Sequence, residues 1–169
     1  MATSNPTPLR DAGAALPEIY EPGVYDPRTA IAHLMGRLRA EMLSTLDREL
    51  ETDEQLAQWD LTGAQFIIIA SLTGSSRSQS ASDLCKALSY DAGAMTRMID
   101  RPENKGLIRR ERCPDDRRLV YLELTEEGRA AYPRMREISR RGLNRFLRGF
   151  TKAEAHQLEA FLCRMLENA

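Results

Sequence analysis

The amino-acid sequence predicts a mainly α fold that carries one small β-hairpin. Three observations lead there. Aromatic residues make up only 6% of the chain, so Leu, Met, Ile and Ala must fill the core, which favours helices. Apolar residues recur at spacings of three and four along several long stretches, the period of a helix with one buried face. Only two short runs, LIRRERC and LVYLEL, are rich in strand-forming residues, and PDDRR between them makes a hairpin.

The elements follow in order. Residues 1–27 hold five prolines, at 6, 8, 17, 22 and 27, and two glycines, the composition of an extended arm. From Arg28 the residues Ile31, Leu34, Met35, Leu38, Met42, Leu46 and Leu50 form one apolar stripe on a helix ending near Glu51–Asp53. Thr62 and Gln65 spell a capping box, with Leu61 and Phe66 placed as a hydrophobic staple. That helix runs to about Leu72, and its FIIIA segment is apolar all round, as a central buried helix must be. Ser80 and Asp83 start a third helix, SASDLCKAL. After Ser89-Tyr90, Asp91 caps a fourth, AGAMTRMIDR. The hairpin comes next. Thr125 caps a long helix to about Leu147, and Thr151 with Glu154 opens a last helix whose apolar side is Leu158, Phe161, Leu162, Met165 and Leu166.

Composition narrows the function classes. The net charge of −1 gives no nucleic-acid signal in total. Between Arg129 and Arg148, however, seven arginines face one acid, Glu137, so a neutral total can conceal a basic face. The three cysteines, Cys85, Cys113 and Cys163, form no CxxC, which disfavours a disulfide scaffold and makes a reducing compartment the default. Cys113 beside Arg112 reads as an inert edge residue, and Cys85 and Cys163 as small core residues. The first residues lack the basic-then-apolar pattern of a signal peptide, and no apolar run approaches the length of a membrane span; the expected location is cytoplasmic. His33 and His156 are scattered, so no metal is expected. No cofactor motif, phosphate loop or nucleophile signature marks an enzyme.

Two short helices across a brief turn, followed by a hairpin with a basic tip, describe a winged helix-turn-helix, a shape suited to duplex DNA. A helix fits the major groove and reads base edges. In the fourth helix Thr96, Arg97 and Arg101 face outward, opposite Met95, Met98 and Ile99. First-turn amides, at Gly93 and Ala94, can hold phosphate, as can Ser82 and Tyr90. Arg117 and Arg118 at the hairpin tip can reach a minor groove or the backbone.

The stretch Leu61–Gly128 resembles the MarR (multiple antibiotic resistance) regulators. SASDLCKALSYDAGAMTRMIDR is similar to the family's helix-turn-helix, NKGLIRR to its step into the wing, and PDDRRLVYLELTEEG to its Asp-x-Arg tip and Leu-Thr-x-x-Gly exit. The resemblance implies that Asp116 holds Arg118 ready for the minor groove, that 91–101 is the recognition helix, and that the terminal helices form a homodimer. It also implies a small aromatic, phenolic or carboxylate effector near the junction, for which His33, Arg37, Trp59 and Phe66 supply a cation and aromatic walls. Pro102 stands where the family carries Leu, so the recognition helix is expected to kink or stop near Arg101. The expected division is an arm 1–27, a dimerisation helix 28–60, a winged helix-turn-helix domain 61–124 and C-terminal dimerisation helices 125–169. The expected function is a homodimeric repressor on a pseudo-palindromic operator, released by such an effector; the alternative is a DNA-binding regulator controlled by competition or thiol oxidation.

Overall fold

A computed structural model of the protein describes residues 18–74, 79–113 and 119–169. The chain divides into two units, one reaching Arg37 and one from Leu38 to Ala169, with the boundary inside the first helix, α1 (Ile31–Glu51). In the first unit, Tyr20 and Tyr25 meet edge to face, their centroids 5.2 Å apart. The Tyr20 hydroxyl accepts the Ile31 N–H at 3.0 Å, satisfying one of the amides a helix start leaves open. Asp26 accepts the Arg28 backbone N–H at 2.9 Å and its guanidinium at 3.0 Å, and the Arg28 side chain holds its carboxyl below the usual range. Ile19, Val24, Ile31, Leu34 and Met35 are exposed.

The second unit is built from capped helices: α2 (Gly63–Gly74), α3 (Ala81–Leu88), α4 (Ala92–Asn104), α5 (Glu126–Phe146) and α6 (Lys152–Glu167). The sequence-predicted boxes form. Thr62 and Gln65 exchange bonds at 3.0 and 3.3 Å. Ser80 with Asp83, and Thr151 with Glu154, make complete capping boxes. Asp47 of α1 adds a cap from afar, accepting the Gly63 N–H at 2.5 Å. A short 3₁₀ turn, Ala57–Trp59, links α1 to α2 and ends on Asp60 in the left-handed region, φ 43°; periodicity gave no sign of it.

The hairpin strands are β2 (Ile108–Arg112) and β3 (Val120–Leu124), antiparallel with Arg110 opposite Leu122. A third strand, β1 (Gln79–Ser80), pairs with the other edge of β3. So short a strand leaves no alternation in the sequence by which to detect it. Ile68, Ile69, Leu84, Met95, Ile99, Leu107, Ile108, Met135 and Ile138 are the fully buried heart of the unit.

Two expectations need correction. The recognition helix does not stop at Arg101: α4 passes through Pro102 and ends at Asn104. Pro102 lies so near the helix end that its missing N–H withdraws only one late bond. The turn closes past it through Lys105 N–H to Arg101 O and Leu107 N–H to Pro102 O, and the ring is fully buried. Cys163 is exposed rather than a core residue, because α6 buries none of its residues within its own chain.

The junction of α4, β2 and α5 brings backbone against backbone. Gly106 takes a left-handed φ of 72°. Thr125 donates its hydroxyl to Gly106 O at 2.6 Å, accepts the Gly128 N–H at 3.0 Å and gives its own N–H to Leu107 O at 3.1 Å. A Cβ at position 128 would stand 2.1 Å from Leu107 O. Two ion pairs fasten the end of α1 to α5: Arg145 to Glu49 at 2.6 Å and Arg134 to the buried Asp53 at 2.7 Å. Asp53 also accepts the Gln55 and Leu56 amides.

Gly128→Ala is expected to lower unfolding stability by about 3 kcal/mol, the upper part of the overpacking range, read from denaturant melts. The Arg134 bond holds the Asp53 carboxyl below its usual range, against the opposing effect of burial. A lowered carboxyl contributes stability that is present above the unfolded value, near pH ~3.9, and is lost as pH falls through the folded value. Asp53→Asn is therefore expected to lose about 2 kcal/mol at neutral pH, as for a hydrogen bond to a charged group. The gap from the native protein should close on acidification.

Candidate nucleic-acid interface

Helices α3 and α4 meet across Ser89 and Tyr90, with Ser89 in the left-handed region and its N–H bonded to Cys85 O. In α4 the buried residues are Met95, Ile99 and Pro102. The helical repeat of about 3.6 residues therefore turns Gly93, Arg97, Asp100 and Asn104 away from the core, with Thr96 and Arg101 on opposite flanks. Asp91 caps the helix through the Ala94 N–H at 2.8 Å. That backbone bond is the main cause of its lowered carboxyl pKa, with a smaller contribution from Arg97. A Cβ at Gly93 would stand 3.2 Å from Asp91 Oδ1 and 3.8 Å from Arg97 Nη1. A side chain there would crowd the capping carboxylate of Asp91 and only touch the Arg97 guanidinium. Thr96 is exposed and returns its hydroxyl to Ala92 O at 2.8 Å.

The arginines of this surface differ in what they already hold. Arg97 is exposed and makes no hydrogen bond or ion pair among the described residues. Arg101, expected to face DNA beside it, is ion-paired with Asp60. Arg110 on β2 joins Asp100 at 2.9 Å and also pairs with Glu103, covering both acids of α4. Arg109 bridges Glu123 across the hairpin at 2.9 Å and Glu111 along its own strand at 3.2 Å. Ser82 and Ala94 sit in the first turns of their helices, Ser82 exposed and Ala94 half-buried. Tyr90 is half-buried, and its hydroxyl accepts a hydrogen bond from Arg39 of α1, whose guanidinium also lies 5.6 Å from the ring centroid. Sequence reasoning missed Arg39 and Asp60; partners so far apart in the chain leave no periodic signal. Asp116, Arg117 and Arg118 lie outside the described residues. Cys113 donates its N–H to Leu119 O at 3.0 Å, and the residue is buried.

The candidate effector residues are separated by environment. Phe66 is buried and stacks on Tyr132, centroids 6.3 Å apart. It lines an apolar cleft of about 180 Å³ with Leu46, Ile67, Ile138, Leu143 and Phe146. Trp59 is half-buried against the core but is not part of that lining. His33 and Arg37 are exposed in the first unit. Among the described residues there is no group of three His, Cys, Asp or Glu that could hold a metal, and no helix is long and apolar enough to cross a membrane.

The MarR family model matches residues 61–120, the segment from the start of α2 to the start of β3. Over 133 residues the chain is 34% identical to the multiple antibiotic resistance protein MarR of Escherichia coli (strain K12), a match covering 78% of this chain and 90% of that one. The chain belongs to the MarR family. Two solved MarR-like folds superpose closely. One is the S. aureus MepR–DNA complex, at TM-score 0.70 and 23% identity, covering 83% of this chain and 98% of that one. The other is Bordetella bronchiseptica BpsR, described by the regulation of its DNA binding by 6-hydroxynicotinic acid, at TM-score 0.70 and 24% identity, covering 86% and 98%. As a MarR-family member the protein is a DNA-binding transcription regulator and not an enzyme.

Because Arg97 makes no hydrogen bond or ion pair among the described residues, Arg97→Ala is expected to weaken duplex binding by about tenfold or more, the cost of one good base contact. Its effect on stability should stay within about 0.5 kcal/mol, as for an ordinary surface position. Anisotropy titrations alongside melting curves check both halves.

Proposed function

We propose that the protein is a homodimeric repressor that binds a pseudo-palindromic operator and is released by a small aromatic, phenolic or carboxylate effector. The observation that carries the dimer is α6. It buries none of its residues in its own chain, yet it presents Leu158, Phe161, Met165 and Leu166 to solvent. The exposed Ile31, Leu34, Met35 and Leu38 of α1 form a second such stripe. Two copies related by a two-fold axis would cover both. In that arrangement 28–60 and 125–169 serve dimerisation and 61–124 serves DNA. The two α4 helices would enter successive major grooves about 34 Å apart, with Gly93, Ala94, Thr96 and Arg97 at the duplex and Ser82 on its phosphates. The wing residues Asp116, Arg117 and Arg118 would reach the minor groove or backbone. Binding would repress by excluding polymerase.

The effector reading is supported by the regulation that the BpsR description names, and by an apolar cleft that has Phe66 in its wall. An effector acts only through unequal affinity for the DNA-competent and incompetent states.

The test is fluorescence anisotropy of the purified protein on the DNA upstream of its own gene, across a salt series, with Arg118→Ala alongside. Saturable binding by a dimer, a steep loss with salt and a clear loss in the variant are expected. Binding no tighter than to random DNA, with no effect of the variant, would contradict the operator reading. In parallel, 6-hydroxynicotinic acid and related aromatic acids are expected to raise the melting temperature, since a ligand at 100 times its Kd adds about 2.7 kcal/mol. A series that shifts nothing removes the effector.

A further inference from the structure

Arg101 stands on a flank of α4, off the centre of the outward stripe held by Arg97 and Asn104. Its guanidinium is ion-paired with Asp60. Asp60 is fixed by its backbone. It closes the 3₁₀ turn at φ 43°, donates its N–H to Ala57 O at 3.0 Å and is followed by the buried Leu61. A left-handed residue of this kind is uncommon outside glycine, and Asp and Asn are the side chains that tolerate it. The backbone that carries the carboxylate is therefore set in a defined turn. The pair is nevertheless open to solvent, with the Asp60 side chain 72% exposed and that of Arg101 41% exposed.

We propose that Asp60 sets the affinity of the DNA interface by holding Arg101 as an internal substitute for a backbone phosphate. The proposal rests on the DNA-binding reading and adds a residue to it that lies outside both the helix-turn-helix and the wing. An exposed ion pair is weak and screened, so a duplex can exchange it for a phosphate contact. After the exchange the Asp60 carboxylate stands without its partner beside a polyanion. Both effects oppose binding, so native Asp60 keeps affinity below what the same arginines could reach. The same pair joins the turn after α1 to the recognition helix, so a rearrangement of residues 57–60 alters how firmly Arg101 is held.

The test needs no operator, because non-specific binding is electrostatic and indifferent to sequence. Full-length native protein, Asp60→Asn, Arg101→Ala and the double variant are titrated by anisotropy against a short random-sequence duplex over a range of salt. Asn is chosen because it keeps the left-handed turn. Asp60→Asn is expected to bind about two- to fivefold tighter, the range an exposed pair supports. Arg101→Ala is expected to bind more weakly and to flatten the log–log salt dependence by about 0.9, one phosphate contact. The double variant should gain over Arg101→Ala by less than Asp60→Asn gains over the native protein, since only the repulsion of the carboxylate is left to relieve. Unchanged or weaker binding by Asp60→Asn overturns the proposal, and so does an equal gain from Asp60→Asn when Arg101 is already absent, since that is only a general loss of negative charge. Failure of the native protein to bind any duplex overturns the DNA reading itself, a result distinct from either. Asp60→Gly, which also accepts the turn, serves as the second variant and should repeat the gain.

Discussion

Thr125 and Gly128 bring the first turn of α5 onto the backbone of Gly106 and Leu107, and the placement of the recognition helix depends on that contact. The Thr125 side chain serves two element ends at once: it caps α5 through the Gly128 N–H and ties down the Gly106 carbonyl after α4. Its own N–H takes the Leu107 carbonyl. Helix and strand ends leave backbone groups unpaired, and this one threonine closes several at once. Gly128 is needed because no side-chain atom fits between its Cα and Leu107 O. From this point β2 leads into the hairpin, α4 leads back along the helix-turn-helix, and α5 leads away towards α6. The relative aim of helix and wing is a property of the clasp.

Charge is allotted around the same frame. Arg134 and Arg145 are used to hold the end of α1 to α5, which reduces the basic character of the long arginine run. Arg110 covers the two acids of α4, Asp100 and Glu103, and so removes repulsion that a recognition helix carrying carboxylates would otherwise offer to phosphate. Arg109 braces the hairpin. Among the described residues Arg97 makes no such pair and stays exposed on α4. A neutral chain can bind a polyanion because its cations are divided between internal and external partners.

Much of the fold was legible in the sequence because capping is local. Thr62 with Gln65, Ser80 with Asp83, Asp91, Thr125, and Thr151 with Glu154 each mark a helix start within three residues, and each forms as the spacing indicates. The hairpin was legible for the same reason. What escaped was set by packing at long range. β1 exists only because β3 offers an edge to two residues. Pro102 is accepted in α4 because its ring is buried and the helix is nearly finished. Cys163 lies on an apolar helix, yet the chain offers nothing to bury it. In the interface the outward direction of Arg97 followed from the period of α4, whereas the pairing of Arg101 with Asp60 and of Tyr90 with Arg39 joins residues from separate helices and turns. No local rule links those positions.

The proposed dimer would set two copies of α4 against DNA in a fixed two-fold arrangement. Hydroxyl-radical footprinting tests it most directly, on a duplex selected by the purified protein from random sequences. The expected pattern is two protected patches on one face of the helix, symmetric about the site and separated by about one turn, near 34 Å, with weaker protection where the wings reach the flanking minor grooves. A single protected patch, or protection with no helical phasing, would contradict the account.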